Sequence, residues 1–293
     1  MGYLGVCGRF FPGQSLLPRY ARGVVKRNAE FGFKMVSISV LSMVLKQADK
    51  VIISKLLPIG LLGYYGFAYR AISKASLISS AVAQAAFPSF CSLSEDKGGK
   101  NHLVTQYSQL QDLVCFITVP LFALIAFFAL PLFTYVFNAK IAQELHSPVV
   151  LLSLGFYLNG TLDIPYRLVL ATGKPEIVVR QILYAVFTVL PATLVLLYFF
   201  ELSGAALGWV LYFLFCYAYS VRRICSECLE KPAWFFFGHI LKVFLLIALT
   251  YGVAYSILVI VNIFTIISLF VAYTGASVIF LMLMHLAQVF SCL

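Results

Sequence analysis

Between Lys242 and His285 the chain carries no charged side chain. A hydrocarbon core about 30 Å thick is crossed by a helix of about 20 residues, so this stretch is too long for a single crossing. It predicts two membrane helices joined by a tight turn near Val261 and Asn262. Apolar windows of the same kind lie upstream, and the full set of expected spans is 34–57, 62–90, 113–137, 148–170, 177–199, 204–220, 238–260 and 263–289. No ten-residue alternation of the barrel type interrupts them. The predicted fold class is an all-α polytopic membrane protein of about eight transmembrane helices, the architecture that satisfies every backbone polar group within its own segment.

Composition agrees. With 62% hydrophobic and 11% charged residues among 293, the chain lies far from the soluble balance of roughly half apolar and a quarter charged. Its net charge of +10 is the excess of Lys and Arg expected in the cytoplasmic loops of a helical membrane protein, and nucleic acid is set aside as a partner. Eight crossings put both termini on one side. That side receives Arg19, Arg22, Lys26, Arg27 and Lys34, then Lys97 and Lys100, then Lys174 and Arg180, then Arg222, Arg223 and Lys231. The other side has only Lys55 and Lys140, so both termini are expected in the cytoplasm. The N-terminal stretch has no continuous apolar core and no small-residue cleavage site, and is not read as a signal peptide.

The domain organisation that follows is a basic cytoplasmic N-terminal or linker segment at 1–33, a six-span lobe at 34–220, a cytoplasmic loop at 221–237 and a C-terminal transmembrane hairpin at 238–293. Pro58 closes the first span, Pro88 lies near the end of the second, and Pro148 and Pro175 are expected to flank the fourth and fifth. Pro120, Pro131, Pro165 and Pro191 fall inside spans, where they bend helices and free carbonyls for neighbours to satisfy.

Function classes can be excluded by what is missing. No GxxxxGK[ST] phosphate loop is present, nor HExxH or GxSxG, so an ATPase and the common hydrolases are not supported. Cys225 and Cys228 form one CxxC with His239 further on. A structural zinc site needs four ligands, and with no second pair the seven scattered cysteines read as reduced thiols. No metal or other cofactor is expected, and the chain is not expected to be an enzyme.

The charges inside the apolar spans are the functional signal. In VLKQADKVIISK, residues 44–55, Lys46 and Lys50 are one helical turn apart and Asp49 lies between them. The returning second span carries Arg70 and Lys74 at the same spacing, so two antiparallel helices are expected to present four cations at two matched depths. Each costs about 2.5–3.5 kcal/mol at a helix centre, on the order of 10 kcal/mol for the four before snorkelling or pairing. One aspartate does not compensate them, and the pattern points to a positively lined, wet cavity for an anionic ligand. Diphosphate suits it, since Lys and Arg donate charge-assisted hydrogen bonds to its oxygens. A second polar spot, YLNGTLDIPYR at 157–167, places Asp163 and Arg167 four apart near the cytoplasmic end as an intrahelical pair or a gate, with Gly160 allowing close helix approach.

The run FGFKMVSISVLSMVLKQADKVIISKLLPIGLLGYYGFAYRA, then AVAQAAFPSFCSL, and later NGTLDIPYRLVLATGKPEIVVRQ, resemble the polysaccharide biosynthesis flippases, the Wzx-type members of the MOP exporter superfamily. The likeness covers about residues 18–220. It implies a transporter that moves an undecaprenyl-diphosphate-linked oligosaccharide across the bacterial inner membrane by alternating access between two six-helix lobes. On that resemblance Lys46, Lys50, Arg70 and Lys74 would contact the diphosphate headgroup, and Asp49 would hold the lysines or take part in ion coupling. The chain departs from the family by starting at what resembles the seventh span. A truncated frame, a separate first lobe or a second copy of this chain are the expected explanations. Two alternatives stay open: a drug or cation antiporter of the same superfamily, and a membrane assembly subunit that transports nothing.

Overall fold

The computed structural model describes residues 22–56, 58–95, 100–232, 234–261 and 265–291. These residues form helices and short connections, without a strand among them. Helix α1 spans Arg22–Leu56, α2 Ile59–Ala75, α3 Leu77–Glu95, α4 Lys100–Val136 and α5 Ala139–Ala171. Helix α6 starts at Glu176 and reaches Cys216, after which π-type and α-helical turns carry the chain on to Leu229. Helix α7 spans Trp234–Ile247, a π-type turn joins it to α8 at Val253–Val261, and α9 spans Ile266–Ser291.

Seven of these helical stretches are long and apolar enough to cross a membrane. One of them, Glu176–Leu229, has 54 residues and would measure about 80 Å if straight, far beyond any bilayer. It folds back on itself. Glu201 adopts φ 49° and ψ −128° inside α6, a conformation that a helix does not accommodate. A Cβ on Gly204 would lie 2.0 Å from the Leu196 carbonyl oxygen, and one on Gly208 would lie 2.5 Å from Thr193 Cγ2. Tyr184 and Tyr219 meet edge to face at 5.3 Å, so the two arms run antiparallel around Glu201. Divided there, the described residues form eight crossing segments, and the expected break between spans 177–199 and 204–220 is in place.

Local chemistry explains the other boundaries. Asn138 caps α5, its side chain accepting from the Ile141 N–H at 2.9 Å. At the far end Gly173 takes φ 71°, and Lys174 N–H donates to Val169 O at 3.1 Å while Gly173 N–H donates to Leu170 O at 3.1 Å. That is the Schellman arrangement, which glycine enters without a Cβ penalty. Pro175 then opens α6. Two expectations are corrected. Pro148 does not flank a span but lies inside α5, which begins at Ala139, because the Asn138 cap rather than the proline starts the helix. The expected loop at 221–237 is largely helical as far as Leu229, leaving a short connection that turns at the left-handed Glu230. The turn expected near Val261 and Asn262 cannot be placed, since residues 262–264 lie outside the described residues.

Helix α5 is the centre of the bundle, with Leu145, Leu152, Leu158, Ile164 and Leu168 fully buried. The outside is equally apolar: Phe187, Tyr198, Phe199, Ile260 and Ile267 are exposed, as suits a surface solvated by lipid. The C-terminal helices attach to α4. Tyr273 Oη donates to Pro120 O at 3.2 Å, at the turn where the proline ring removes a ladder donor, and Phe127 stands at ring contact with Tyr251, Tyr255 and Tyr273.

The α6 turn generates a test. Gly204→Ala must displace backbone and is expected to destabilise by about 1–3 kcal/mol, read as thermal unfolding of the purified protein in detergent. Gly208→Ala meets only the Thr193 side chain and should be relieved by Thr193→Ala. Equal melting of Gly204→Ala and the parent would contradict the antiparallel arms.

Candidate functional site: a polar cavity and an exposed cationic face

A cavity of about 490 Å³ opens among α1, α5 and both arms of α6. Its polar lining comes from Ser39, Ser42 and Gln47 on α1, Asn159, Asp163 and Tyr166 on α5, and Gln181, Tyr212 and Ser220 on α6 and its continuation. Pro165 and Phe213 supply apolar wall. In a bundle this apolar, polar groups on facing helices are costly unless they serve a ligand, water or one another.

Helical geometry accounts for the lining. Ser39, Ser42 and Met43 recur at three- and four-residue intervals and so share a face of α1, and Asn159, Asp163 and Tyr166 do the same on α5. Asp163 is half-buried and accepts from Ser79 Oγ of α3 at 2.9 Å. Gly160 makes this possible, since a Cβ there would stand 2.9 Å from the same Ser79 Oγ. Across the cavity Gln181 accepts from Ser220 Oγ and donates to Cys216 Sγ at 2.7 Å. At the end where the basic loops gather, Lys34 Nζ bridges Glu30 on its own helix and Glu176 at the start of α6, each at 3.5 Å.

The expected site residues fall into three groups. Lys46, Asp49 and Lys50 lie on the α1 helix, but their side chains are outside the described residues. Arg70 and Lys74 are described and exposed. They lie on the face of α2 opposite the buried Tyr65, Ala68 and Ile72, and they are not among the residues that line the cavity. Asp163 lines the cavity and is held by Ser79, and Arg167 places its guanidinium 5.7 Å from the centre of the Tyr166 ring. Sequence reading missed the neutral members, Gln47, Gln181, Tyr212 and Ser220. Hydroxyl and amide side chains are common in membrane helices, and only the fold brings these four elements together.

Residues 6–143 match a family model described as a polysaccharide biosynthesis protein. The chain is similar to that family over these residues. The matched part includes Lys46, Asp49, Lys50, Arg70 and Lys74 and stops short of Asn159 and Asp163. No curated protein and no solved structure matches the chain. The likeness, with the membrane-crossing helices, supports a multi-pass membrane protein of polysaccharide biosynthesis.

The contact between α3 and α5 is testable. Ser79→Ala removes a donor to a half-buried carboxylate and is expected to destabilise by about 1–3 kcal/mol. Gly160→Ala crowds the same hydroxyl, so in the double variant the crowding should ease, leaving only the 3.2 Å approach to the Cβ of residue 79, and the two losses should fall short of adding. Thermal unfolding of the four proteins checks this, and strict additivity would remove the proposed coupling.

Proposed function

We propose that the protein is a lobe of a flippase that carries an undecaprenyl-diphosphate-linked oligosaccharide across the bacterial inner membrane, by alternating access. The single observation that carries the reading is the polar cavity in an otherwise apolar bundle, beside a segment similar to polysaccharide biosynthesis proteins. Hydroxyl and amide groups from Ser39, Ser42, Gln47, Asn159, Gln181 and Ser220, with the rings of Tyr166 and Tyr212, suit a sugar. Amides and hydroxyls bond the ring hydroxyls and the aromatic faces cover its C–H surface.

Lys46 and Lys50 would bind the diphosphate. Arg70 and Lys74 stand on an exposed face of α2, and cations at membrane depth are not left to lipid. They would meet either the same headgroup or a second lobe, whether a separate polypeptide or another copy of this chain. Asp49 would hold the lysines or take part in ion coupling, and Asp163 with Arg167 would sit at the cytoplasmic gate. Both termini would be cytoplasmic, because the end bearing Arg22, Lys34, Lys174, Arg222 and Arg223 is the basic one.

A cation or drug antiporter is the second reading, and the carboxylate of Asp163 in the cavity favours it. The two part in reconstituted vesicles, with the full chain and any lobe that copurifies with it. The flippase should bring a labelled polyprenyl-diphosphate oligosaccharide within reach of a glycosidase outside the vesicle. Lys46→Gln with Arg70→Gln should cut that transfer at least tenfold while leaving insertion intact. Unchanged transfer in the double variant removes the cationic assignment. Drug efflux without glycolipid transfer would establish the antiporter.

A further inference from the structure

A second polar constellation lies away from the cavity, where the C-terminal helices meet α4. Asp112 Oδ1 is 3.3 Å from His239 Nδ1, and His239 Nε2 faces Cys115 Sγ at 4.0 Å. Tyr157 Oη of α5 donates to the same sulfur at 3.9 Å. The imidazole and the carboxylate are each about three-quarters or more buried, with side-chain exposures of 24% and 19%. Both lie within stretches long and apolar enough to cross the membrane. An ionisable pair there is expensive unless it has a task.

The geometry gives each nitrogen a role. A carboxylate only accepts, so the Nδ1 that faces Asp112 carries the hydrogen, and Nε2 is left with its lone pair directed toward a thiol, a weak partner. The other charged group acting on the ring is Lys242, one turn along the same helix; Tyr107 and Tyr217 stand against Phe236, one turn before His239, at 6.2 and 5.8 Å. The final helix, packed beside α7, carries His285, which is exposed.

We infer that Asp112 and His239 form a proton-binding site shared between the lobe and the C-terminal helices, with Nε2 of His239 as the acceptor and Asp112 as the group that orients it. This rests on the transport reading for its use: the bound proton is the ion to which movement of the glycolipid is coupled. Helix α5 lies between this site and the cavity. Tyr157, bonded to Cys115, and Thr161, bonded to Tyr217, share one face of that helix. Asn159 and Asp163, on the opposite face, line the cavity.

The test is solid-state ¹⁵N NMR of the full chain in lipid, labelled at histidine, between pH 5 and 8. His239→Gln identifies the ring's signals against those of His102, His146 and His285. The expected result is a change from the neutral to the doubly protonated pattern within that range, displaced by Asp112→Asn while the other three histidines keep theirs. A ring that stays in one form throughout, or a titration that Asp112→Asn leaves in place, overturns the site. This readout does not depend on transport, so failure of the flippase reading is told apart. In the vesicle assay, His239→Gln should abolish the response of transfer to a pH gradient while retaining transfer without one. A retained response overturns the coupling role. Because glutamine can still donate to Asp112, a purely structural contact would leave both responses as in the parent.

Discussion

The approach of α3 to α5 at Gly160 is the contact on which the arrangement of the bundle depends. In lipid, helices gain little from burying apolar surface against one another, so close contact and satisfied polar groups decide which faces meet. At this level α5 offers a glycine and, three residues on, a carboxylate, and Ser79 answers both by filling the space and donating to Asp163. The same turns of α5 hold Thr161 against Tyr217 and Gln111, the latter donating from Nε2 to Thr161 O at 3.0 Å. A larger residue at 160 would push α3 away and uncover Asp163. The cavity wall on one side and the α4 contact on the other would both be disturbed.

Much of the fold was legible because its signals are local. The charge-free run before His285, the ATGKP connection and the eight apolar windows each report a physical requirement of a few adjacent residues: length, a left-handed cap, a missing donor. The structure keeps the eight segments, with Gly173 in its cap and the return at Glu201 between two windows read as separate. What misled was proline. Pro148 looks like a boundary, yet membrane helices tolerate an internal proline, and the Asn138 cap sets the true start.

The site was legible only in part, for the opposite reason. Intramembrane cations stand out because they are costly, so Lys46, Lys50, Arg70 and Lys74 could be picked from the sequence. Their grouping could not. Helix α2 packs inward through Tyr65, Ala68 and Ile72 and leaves Arg70 and Lys74 exposed, while the side chains of Lys46 and Lys50 lie outside the described residues. The cavity takes its lining from segments 38–47, 159–166 and 178–224, joined by tertiary packing alone. Asp112 and His239 carried a readable signal, an acid and an imidazole at the edge of apolar runs, but their pairing joins residues on helices distant in sequence.

The two polar regions are tied together by helix geometry. From Tyr157 to Asp163 is about 9 Å of rise, less than two turns. Within it one face of α5 holds the contacts toward Cys115 and Tyr217 while the other lines the cavity. A helix packed this tightly moves as a rod, and interfaces such as these switch between discrete arrangements rather than deform continuously. A change of charge at His239 therefore has only a short, stiff path to the cavity. Tyr157 would register it through Cys115, and any rotation of α5 that followed would carry Asn159 and Asp163 with it. The C-terminal helices then have a physical role in the lobe: they bring the imidazole to α4, and the Tyr273 contact at Pro120 holds them where that imidazole meets Asp112.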